Sequence, residues 1–358
     1  FCSAAHPSLS AACRPVCGVL SIAMEPTRLG FKHMFVPAEN APEGAVVEGL
    51  SVYPVSDVFG LLEHLRGRKP IQPAVPGESG SAAGQTPPDF ADVRGQAQAK
   101  RALEIAASGG HNVLLIGAPG SGKSMLAKRL PSILPEMLPA EKLETTAIYS
   151  VAGLLPGGAS LVESRPFRAP HHTISGPGLS GGGSLPRPGE ISLAHNGVLF
   201  LDELPEFSRS AIETLRQPVE DGTVTVSRVN GTVAFPCGFM LVAAMNPCPC
   251  GYYGHPTRPC TCSDGAVARY LGRVSGPLLD RIDLHIEVPP VDFDSLTSAQ
   301  KEESSAQIKV RVDAARAVQA RRFQSSSVAS HAAKPPPGGR EGGRNEAARA
   351  GLFKNSQR

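Results

Sequence analysis

The amino-acid sequence predicts an α/β fold in which a parallel sheet carries helices on both of its faces. Short runs of apolar residues recur along the chain, as expected for strands that are buried on both sides. Helix-forming segments alternate with these runs between residues 90 and 290, the order typical of βαβ units. A glycine-rich loop joins the first run of this region to a helix, and such a loop is a common phosphate-binding device.

The bulk composition indicates a globular chain of two or three domains. It has 358 residues, of which 41% are apolar and 19% are charged, so global disorder is not expected. The net charge of +3 is too small to indicate a nucleic-acid partner by itself. Residues 309–358 carry a net +8 and the first 308 carry −5. This basic end could contact phosphate, and the alternative is a solvated, disordered end.

The sequence shows no membrane or secretion signal. No apolar run approaches the ~18 residues that a membrane helix needs. No basic segment precedes the short apolar stretch from Val19 to Met24. We therefore expect a cytoplasmic protein without membrane contact. The chain begins at Phe1 rather than at methionine, and we expect its front part to be missing.

The first 66 residues read as a partial α/β domain. Phe31–Val36 and Ala45–Val55 are strand-like. Apolar residues then recur at the spacing of one helix face over residues 58–65, and Ser56 is placed to cap that helix.

Composition divides the rest of the chain. Residues 67–89 contain nine prolines and glycines in 23 positions, which predicts a linker. We place a nucleotide-binding core at residues 90–295 and the start of a helical segment at residues 296–324. Residues 325–358 are poor in apolar side chains, which predicts a disordered tail.

The core opens with a predicted helix over Gln96–Ser108, which Gly109 and Gly110 end. Its three predicted strands are fully apolar, and a helix follows the first of them from Lys123. The strands are Val113–Ile116, Val198–Leu201 and Phe239–Ala244.

Two insertions interrupt this alternation. Arg165–Gly189 is rich in Gly, Pro and His. The second insertion is predicted to be a hairpin, because two β-prone runs flank the dipeptide Asn230-Gly231, which a tight type I′ turn prefers. The runs are Thr223–Val229 and Thr232–Pro236.

The loop after the first strand has the pattern G-x-x-x-x-G-K-[ST]. Its glycines allow several backbone N–H groups to face one phosphate, and the next helix adds its positive N-terminal end. Lys123 is expected to reach the β- and γ-phosphates of ATP, and the Ser124 hydroxyl to ligate Mg²⁺. The motif consists of Gly117, Ala118, Pro119, Gly120, Ser121, Gly122, Lys123 and Ser124.

Polar residues follow the other two strands of the core. Asp202, at the carboxyl end of its strand, can hold Mg²⁺ through water. Glu203 is placed to polarise the attacking water as a general base. Asn246 follows the third strand and could orient that water or sense the γ-phosphate.

Arg281 is a candidate for stabilising transition-state charge. It could reach the γ-phosphate of a neighbouring subunit. The alternative is an ordinary ion pair with Asp280 or Asp283, and local sequence does not separate the two interpretations.

Four of the eight cysteines fall within fifteen positions. They read C-x-C-x₉-C-x-C, and four thiolates give the closed tetrahedral site that suits structural Zn²⁺. The alternative is a group of free, packed thiols. His255 could replace one of the ligands. The cysteines are Cys248, Cys250, Cys260 and Cys262.

Together these motifs resemble the magnesium-chelatase-like AAA+ ATPases, in particular their ComM/YifB branch. The resemblance covers residues 90–323. The segments that carry it, besides the phosphate loop, are Asp92–Gln96, Gly109–Asn112, Arg165–His172, Gly189–Leu204, Asn246–Gly251 and Ser275–Asp283.

The resemblance implies a homo-hexameric ring that binds ATP and Mg²⁺ between its subunits. It makes Arg281 an arginine finger acting in trans and Asn246 the sensor-1 residue. It also identifies Arg165–Gly189 as the helix-2 insert and Thr223–Pro236 as the pre-sensor-1 hairpin, which contact substrate in the central pore of related rings. The substrate that it implies is DNA, in branch migration during natural transformation.

Both ends of the chain bear on this resemblance. Residues 18–66 resemble the end of a Lon-protease-like domain, on the segments Leu29–Asn40 and Val52–Val55. No protease residues are assigned, because the earlier part of such a domain is missing. After Phe323 the match fades, and we find no counterpart of the sensor-2 arginine that the helical lid of this family carries.

The helix-2 insert and the hairpin offer further candidates. His171 and His172 are adjacent, so they point opposite ways on extended chain and are not expected to share a metal; we favour local packing over contact with phosphate. Arginines in or near the insertions could contact a DNA backbone or be solvated surface residues. They are Arg165, Arg168, Arg187 and Arg228.

Three functions therefore compete. The first is an ATP-driven motor on DNA, of the helicase or branch-migration type. The second is the motor subunit of a magnesium chelatase that inserts Mg²⁺ into a porphyrin. The third is a fragment that binds nucleotide without turnover. The Lon-like segment and the cysteine cluster favour the first.

Overall fold

A computed structural model describes most of the chain. The described residues are 2–3, 6–7, 12–77, 88–155, 160–184, 186–228, 231–290 and 302–322. The predicted tail over residues 325–358 therefore lies outside the described residues, as do Asn230 and residues 78–87 of the predicted linker.

The chain divides into two compact units. The first unit comprises residues 1–85, 137–165 and 184–188, and the second comprises residues 86–136, 166–183 and 189–358.

The helices vary from one turn to five. In chain order they are α1 (Val19–Arg28), α2 (Ala41–Gly44), α3 (Val58–Leu65), α4 (Ala97–Gly109), α5 (Lys123–Arg129), α6 (Pro139–Ala152), α7 (Gly176–Ser180), α8 (Glu190–Leu193), α9 (Arg209–Glu213), α10 (Arg216–Asp221), α11 (Asp264–Leu271), α12 (Gly276–Leu279) and α13 (Ser305–Arg322).

The strands are short. In chain order they are β1 (Cys2–Ser3), β2 (His6–Pro7), β3 (Cys13–Arg14), β4 (His33–Pro37), β5 (Ser51–Val55), β6 (Val113–Ile116), β7 (Phe167–Arg168), β8 (Gly181–Gly182), β9 (Arg187–Pro188), β10 (Val198–Leu201), β11 (Thr223–Arg228), β12 (Gly231–Pro236), β13 (Met240–Met245) and β14 (Leu284–Glu287).

The first unit contains a parallel sheet in the order β1-β4-β5. Apolar side chains of α1 pack on β4 and β5 to form its core. The prediction of a strand over Ala45–Val55 is wrong in its first half, because residues 45–49 form turns and β5 begins only at Ser51. Gly49 has a φ of +82°, a left-handed conformation that suits a turn and not a strand.

The cap of α3 is Asp57 and not Ser56 as predicted. Asp57 has extended backbone angles, and its Oδ1 accepts a hydrogen bond from Gly60 N at 2.7 Å. The helix begins at Val58, so Asp57 is the residue whose side chain can satisfy a free N–H group of the first turn.

A buried carboxylate joins distant segments of the first unit. Glu43 is 8% exposed and accepts hydrogen bonds from Leu20 N at 2.7 Å and from Ser150 Oγ. Ser150 lies in α6, within the sequence range that we assigned to the nucleotide-binding core. Contacts place this helix in the first unit, whereas the sequence-based boundaries remain a prediction.

The second unit is built on a five-stranded parallel sheet in the order β14-β6-β13-β10-β7. Every side chain of β6, β10 and β13 is buried, so both faces of the sheet are covered. β6 and β10 have the predicted bounds, and β13 begins and ends one residue later than predicted. The predicted fold class is confirmed.

Two further predictions concern elements around this sheet. The hairpin is confirmed, since β11 and β12 pair antiparallel from Thr223 with Pro236 to Arg228 with Gly231. The helix α13 lies in the segment predicted to begin a helical lid, and its buried Ile308 and Val312 join the core of the unit. No helix in the described ranges is long and apolar enough to span a membrane.

A buried hydroxyl fastens α13 to the start of the core. Ser305 is 5% exposed, and its Oγ accepts hydrogen bonds from Phe90 N at 2.8 Å and from Ser132 Oγ at 2.7 Å. Its own N–H donates to Asp89 Oδ1 at 3.0 Å. The first residues of the second unit and its last described helix therefore meet at one side chain.

We predict that Ser305→Ala lowers the free energy of unfolding of the second unit by about 1–3 kcal/mol, because it leaves a buried N–H group without an acceptor. Chemical denaturation followed by circular dichroism measures the change. The control is Val310→Ala on the same helix, where the side chain is 69% exposed and a change within about 0.5 kcal/mol is expected. Equal losses in the two variants would contradict this role of the hydroxyl.

Candidate functional site

The phosphate loop connects β6 to α5 along residues 117–124. Gly120 and Gly122 have φ angles of +78° and +91°, which side chains rarely adopt. A Cβ atom on Gly117 would lie 2.3 Å from the carbonyl oxygen of Val288, so only glycine fits there. The conformation of the loop therefore depends on the glycines of the motif.

Lys123 lies at the centre of the site and is 8% exposed. Its Nζ donates to the carbonyl oxygens of Gly117 at 2.8 Å and Ala118 at 2.9 Å, and it lies 3.2 Å from Asn246 Oδ1. Burial lowers the pKa of this ammonium group, and the carboxylates of Asp202 and Glu203 oppose that shift. The lysine is thus held at the loop by two carbonyls and by the candidate sensor residue.

The two candidate Mg²⁺ ligands are in direct contact. Ser124 Oγ donates to Asp202 Oδ2 at 2.6 Å, although the residues are 78 positions apart. The other carboxylate oxygen of Asp202 accepts from Glu203 N at 3.0 Å. Oxygen ligands of this kind fit a Mg²⁺ ion that is shared with nucleotide phosphates.

One buried polar atom at the loop is consistent with a bound phosphate. Ser121 is 2% exposed, and its Oγ has no hydrogen-bond partner within the described residues. A buried hydroxyl without a partner is unfavourable unless a ligand supplies one. Together with the glycine conformations, it indicates that these residues fit a phosphate group.

Glu203 follows β10 with a φ of +53°, which is uncommon for a residue with a side chain. Its carboxylate lies 3.1 Å from His172 Nδ1, and its side chain is 54% exposed. His172 also lies beside the ring of Phe207. The sequence favours local packing for this histidine, and its position within the Arg165–Gly189 insert does not indicate a contact with the candidate base.

Gln96 is another residue whose role local sequence did not indicate. It has a φ of +57° at the start of α4, and its Nε2 donates to Ser121 O at 3.2 Å and Pro289 O at 2.6 Å. The side chain therefore ties the first helix of the core to the phosphate loop. Its place in the segment Asp92–Gln96, which carries the family resemblance, was the available signal.

Arg281 has no described contact with the phosphate loop or with the other predicted catalytic residues. Its guanidinium pairs with the carboxylate of Glu220 in α10, and its side chain is 41% exposed. Arg281 therefore forms an ordinary ion pair, but with Glu220 and not with Asp280 or Asp283 as predicted for that alternative. Asp283 instead accepts a hydrogen bond from Asn112 N at 3.0 Å.

The insertion arginines differ in their contacts. Arg165 pairs with Glu141 at 3.1 Å, and Arg168 forms two hydrogen bonds with Glu190 at 2.6 and 2.7 Å. Arg187 is exposed. Arg228 is also exposed, and its guanidinium donates to the carbonyl oxygens of Ser227 and Gly181, which do not neutralise its charge.

The four clustered cysteines converge. Their sulfur atoms all lie within 4.8 Å of one another, and Cys248 is fully buried. Three Sγ–Sγ distances are 3.3, 3.7 and 3.5 Å, for the pairs 248–250, 248–260 and 250–260. His255 is not part of the group that the described residues form, and its Nδ1 accepts hydrogen bonds from the N–H groups of Thr257 and Arg258. The sulfurs could hold one metal ion.

The pKa values of these thiols shift in opposite directions. Backbone N–H groups of Thr261 and Tyr252 lower the pKa of Cys250 to about 5. The backbone N–H of Cys262 lowers the pKa of Cys260, but burial and the neighbouring sulfurs raise it to about 12. Crowded thiolates oppose one another's ionisation unless a cation compensates their charge.

The sequence matches a family model and several known proteins. The family model described as magnesium chelatase, subunit ChlI, matches residues 89–296. The competence protein ComM of Haemophilus influenzae is 45% identical over 298 residues, which are 81% of this chain and 57% of that protein. YifB of Escherichia coli is 44% identical over 322 residues, which are 88% of this chain and 61% of that protein.

A more distant relative is the magnesium-chelatase 67 kDa subunit of Chlorobaculum parvum, which is 30% identical over 57% of this chain and 27% of that protein. The chain spans about three fifths of the length of ComM and YifB. The family match over more than half of the chain, with the identity to these two proteins, shows that the chain belongs to the magnesium chelatase ChlI family, in its ComM/YifB branch.

Proposed function

We propose that the chain is the ATP-hydrolysing core of a ring-forming AAA+ motor that acts on DNA. One observation carries the ATPase part of the proposal. Residues from three separate strand ends meet in one contact network, in which Lys123 reaches Asn246 and Ser124 reaches Asp202. Each of these side chains has a defined use in phosphoryl transfer and little use as a structural contact.

Binding of ATP is assigned to the phosphate loop. Its backbone N–H groups and the N-terminal end of α5 would surround the phosphates, and Lys123 would exchange its carbonyl acceptors for phosphate oxygens. Ser124 and Asp202 would hold Mg²⁺, which supplies positive charge against the phosphates when it is bound. The Ser121 hydroxyl would gain the partner that it lacks among the described residues.

Hydrolysis is assigned to Glu203 and Asn246. Glu203 would accept a proton from the water that attacks the γ-phosphorus, while the bond to the β-phosphate oxygen breaks. Asn246 lies beside Lys123 and would orient that water or the γ-phosphate. His172 would aim the exposed carboxylate of Glu203, which has no other described side-chain partner.

Arg281 would act across a subunit interface of a homo-hexamer. Its partner in the single chain, Glu220, is partly exposed, and surface pairs of this kind contribute about 0–1 kcal/mol. An arginine that reaches a neighbour's γ-phosphate can raise the rate by about 10³–10⁵. The exchange of Glu220 for a γ-phosphate as the partner of Arg281 would therefore cost little free energy.

DNA is proposed as the substrate on the strength of relatedness and charge. The chain is 45% identical to a protein named for competence and 30% identical to a magnesium-chelatase subunit. On the hairpin β11–β12, the described partners of the Arg228 guanidinium are two backbone carbonyls, which leave its charge available to a phosphate backbone. The alternatives are the motor subunit of a magnesium chelatase and a nucleotide-binding fragment without turnover.

We predict that Glu203→Gln lowers kcat for ATP hydrolysis by about 10²–10⁴-fold while ATP binding persists, because the general base is lost and the phosphate contacts remain. Lys123→Ala is expected to abolish both. A phosphate-release assay and a fluorescent ATP analogue measure the two properties. The matched control is Glu206→Gln, three residues on, whose carboxylate pairs with Arg273. ATP binding by the unmodified chain without any turnover would favour the inactive fragment.

We predict that His172→Ala lowers kcat about tenfold with little change in KM, because Glu203 is then no longer aimed. His172→Asn keeps a hydrogen-bond donor and should restore much of the rate. His171→Ala is the control for lost ring packing, since its ring lies 4.1 Å from that of His172 while its ring nitrogen contacts Thr173. A rise in the DNA-independent rate of His172→Ala would show instead that the histidine restrains the base.

We predict that single-stranded and branched DNA bind with an affinity that falls steeply between 50 and 200 mM salt, roughly linearly on logarithmic axes. Arg228→Ala should reduce the slope by about 1. Gel shifts across a salt series measure both. Arg28→Ala is the control, an exposed arginine of the first unit. Absence of binding at ~50 mM salt would contradict the DNA proposal, and chelation that depends on this chain in a porphyrin assay would favour the chelatase subunit.

A further inference from the structure

We propose that Cys248, Cys250, Cys260 and Cys262 bind a structural Zn²⁺ ion whose role is to hold the loop of residues 246–262 against the phosphate loop. The ion would thereby set the position of Asn246 and of the phosphate-binding backbone. This role rests on the proposed ATP site, whereas metal binding itself does not.

The sulfur geometry fits a tetrahedral zinc site. A Zn–S bond of about 2.3 Å implies neighbouring sulfurs about 3.8 Å apart. Three separations, among Cys248, Cys250 and Cys260, are 3.3 to 3.7 Å and so are close to that value, and all four sulfurs lie within 4.8 Å of one another. They are far from the ~2.05 Å of a disulfide, and all four cysteines are free thiols.

The backbone around the sulfurs is arranged for thiolates. The N–H of Tyr253 donates to Cys248 Sγ at 3.3 Å, and the N–H of Cys262 donates to Cys260 Sγ at 3.4 Å. Donors of this kind stabilise negative sulfur and fix the orientation of metal ligands. Gly251, at φ +84°, turns the chain after the first pair of cysteines.

The ligand set favours zinc over other cations. Four thiolates around one point form a closed site, which is typical of structural Zn²⁺ and leaves no position for a substrate. Carboxylates, which Mg²⁺ and Ca²⁺ prefer, are not members of the group that the described residues form here.

The cluster adjoins the nucleotide site at two points. Cys248 follows Asn246 by two residues, and Asn246 contacts Lys123 at 3.2 Å. On the other side, a Cβ on Gly251 would lie 2.4 Å from Pro119 Cδ, so the cysteine loop packs directly on the phosphate loop. Only glycine permits this approach.

Apart from the contact of Gly251 with Pro119, few contacts among the described residues hold the loop in place. Residues 249–262 contain no helix or strand, and of the four ligands only Cys248 is fully buried. Arg258 hydrogen-bonds to Tyr252 at 2.9 Å, but that pair is exposed. A metal that joins both ends of the segment would therefore supply the restraint that apolar packing does not.

The first measurement is the metal content of the purified chain by plasma mass spectrometry, without chelators during purification. We expect one zinc per chain. The double variant Cys260→Ser/Cys262→Ser should contain less than a tenth of that, and Cys17→Ser, an exposed cysteine of the first unit, should keep it. A zinc-free unmodified protein would overturn the proposal.

The second measurement tests the role of the ion on the unmodified chain, so it does not depend on the folding of a variant. A mercurial reagent releases the zinc, a thiol then removes the reagent, and added Zn²⁺ restores the site. We expect amide exchange in residues 117–124 to become at least tenfold faster without zinc and to recover with it. ATP affinity should fall about tenfold in parallel.

The two proposals can fail separately. Zinc that is present but leaves amide exchange of the phosphate loop unchanged on removal would overturn the positioning role. A normal zinc content and zinc-dependent amide exchange in a chain that binds no ATP would overturn the proposed function alone. Glu203→Gln should keep its zinc, since that residue lies outside the cluster.

Discussion

Parallel pairing in register at one edge of the central sheet is the constraint on which the rest of the second unit depends. Ile116 pairs with Met245, and Leu201 pairs with Ala243, so three strands end within two residues of one another. The phosphate loop, the two acids and Asn246 each follow one of these ends. Because the strands are buried on both faces, a shift of register would expose apolar side chains and separate the catalytic groups together.

Features that arise from local chemistry could be predicted from the sequence. β6 and β10 have the predicted bounds because a polar or glycine residue stops each apolar run, and the hairpin follows from its turn residues. The end of β13 could not be predicted as closely. Its apolar run extends from Phe239 to Met245, and only pairing with β10 and β6 decides which of these residues belong to the strand.

The contacts that could not be predicted join residues far apart in sequence. Three contacts bring together residues from separate segments: Glu220 with Arg281, His172 with Glu203, and the Gln96 side chain with the backbone carbonyl of Ser121. Their partners depend on the packing of those segments, which no local pattern specifies. The positive φ angles of Gln96 and Glu203 belong to the same class, since surrounding structure and not intrinsic preference maintains them.

Two of these distant contacts occupy a group that nucleotide chemistry would need. Glu220 neutralises the candidate arginine finger, and His172 holds the candidate base. The carbonyls of the phosphate loop hold Lys123. The ion pair between Arg281 and Glu220 is partly exposed and therefore weak, so the phosphate of a neighbouring subunit could replace Glu220. In the proposed function, nucleotide binding and ring assembly would give Lys123 and Arg281 phosphate oxygens in place of these partners, whereas His172 would stay beside Glu203 and aim its carboxylate.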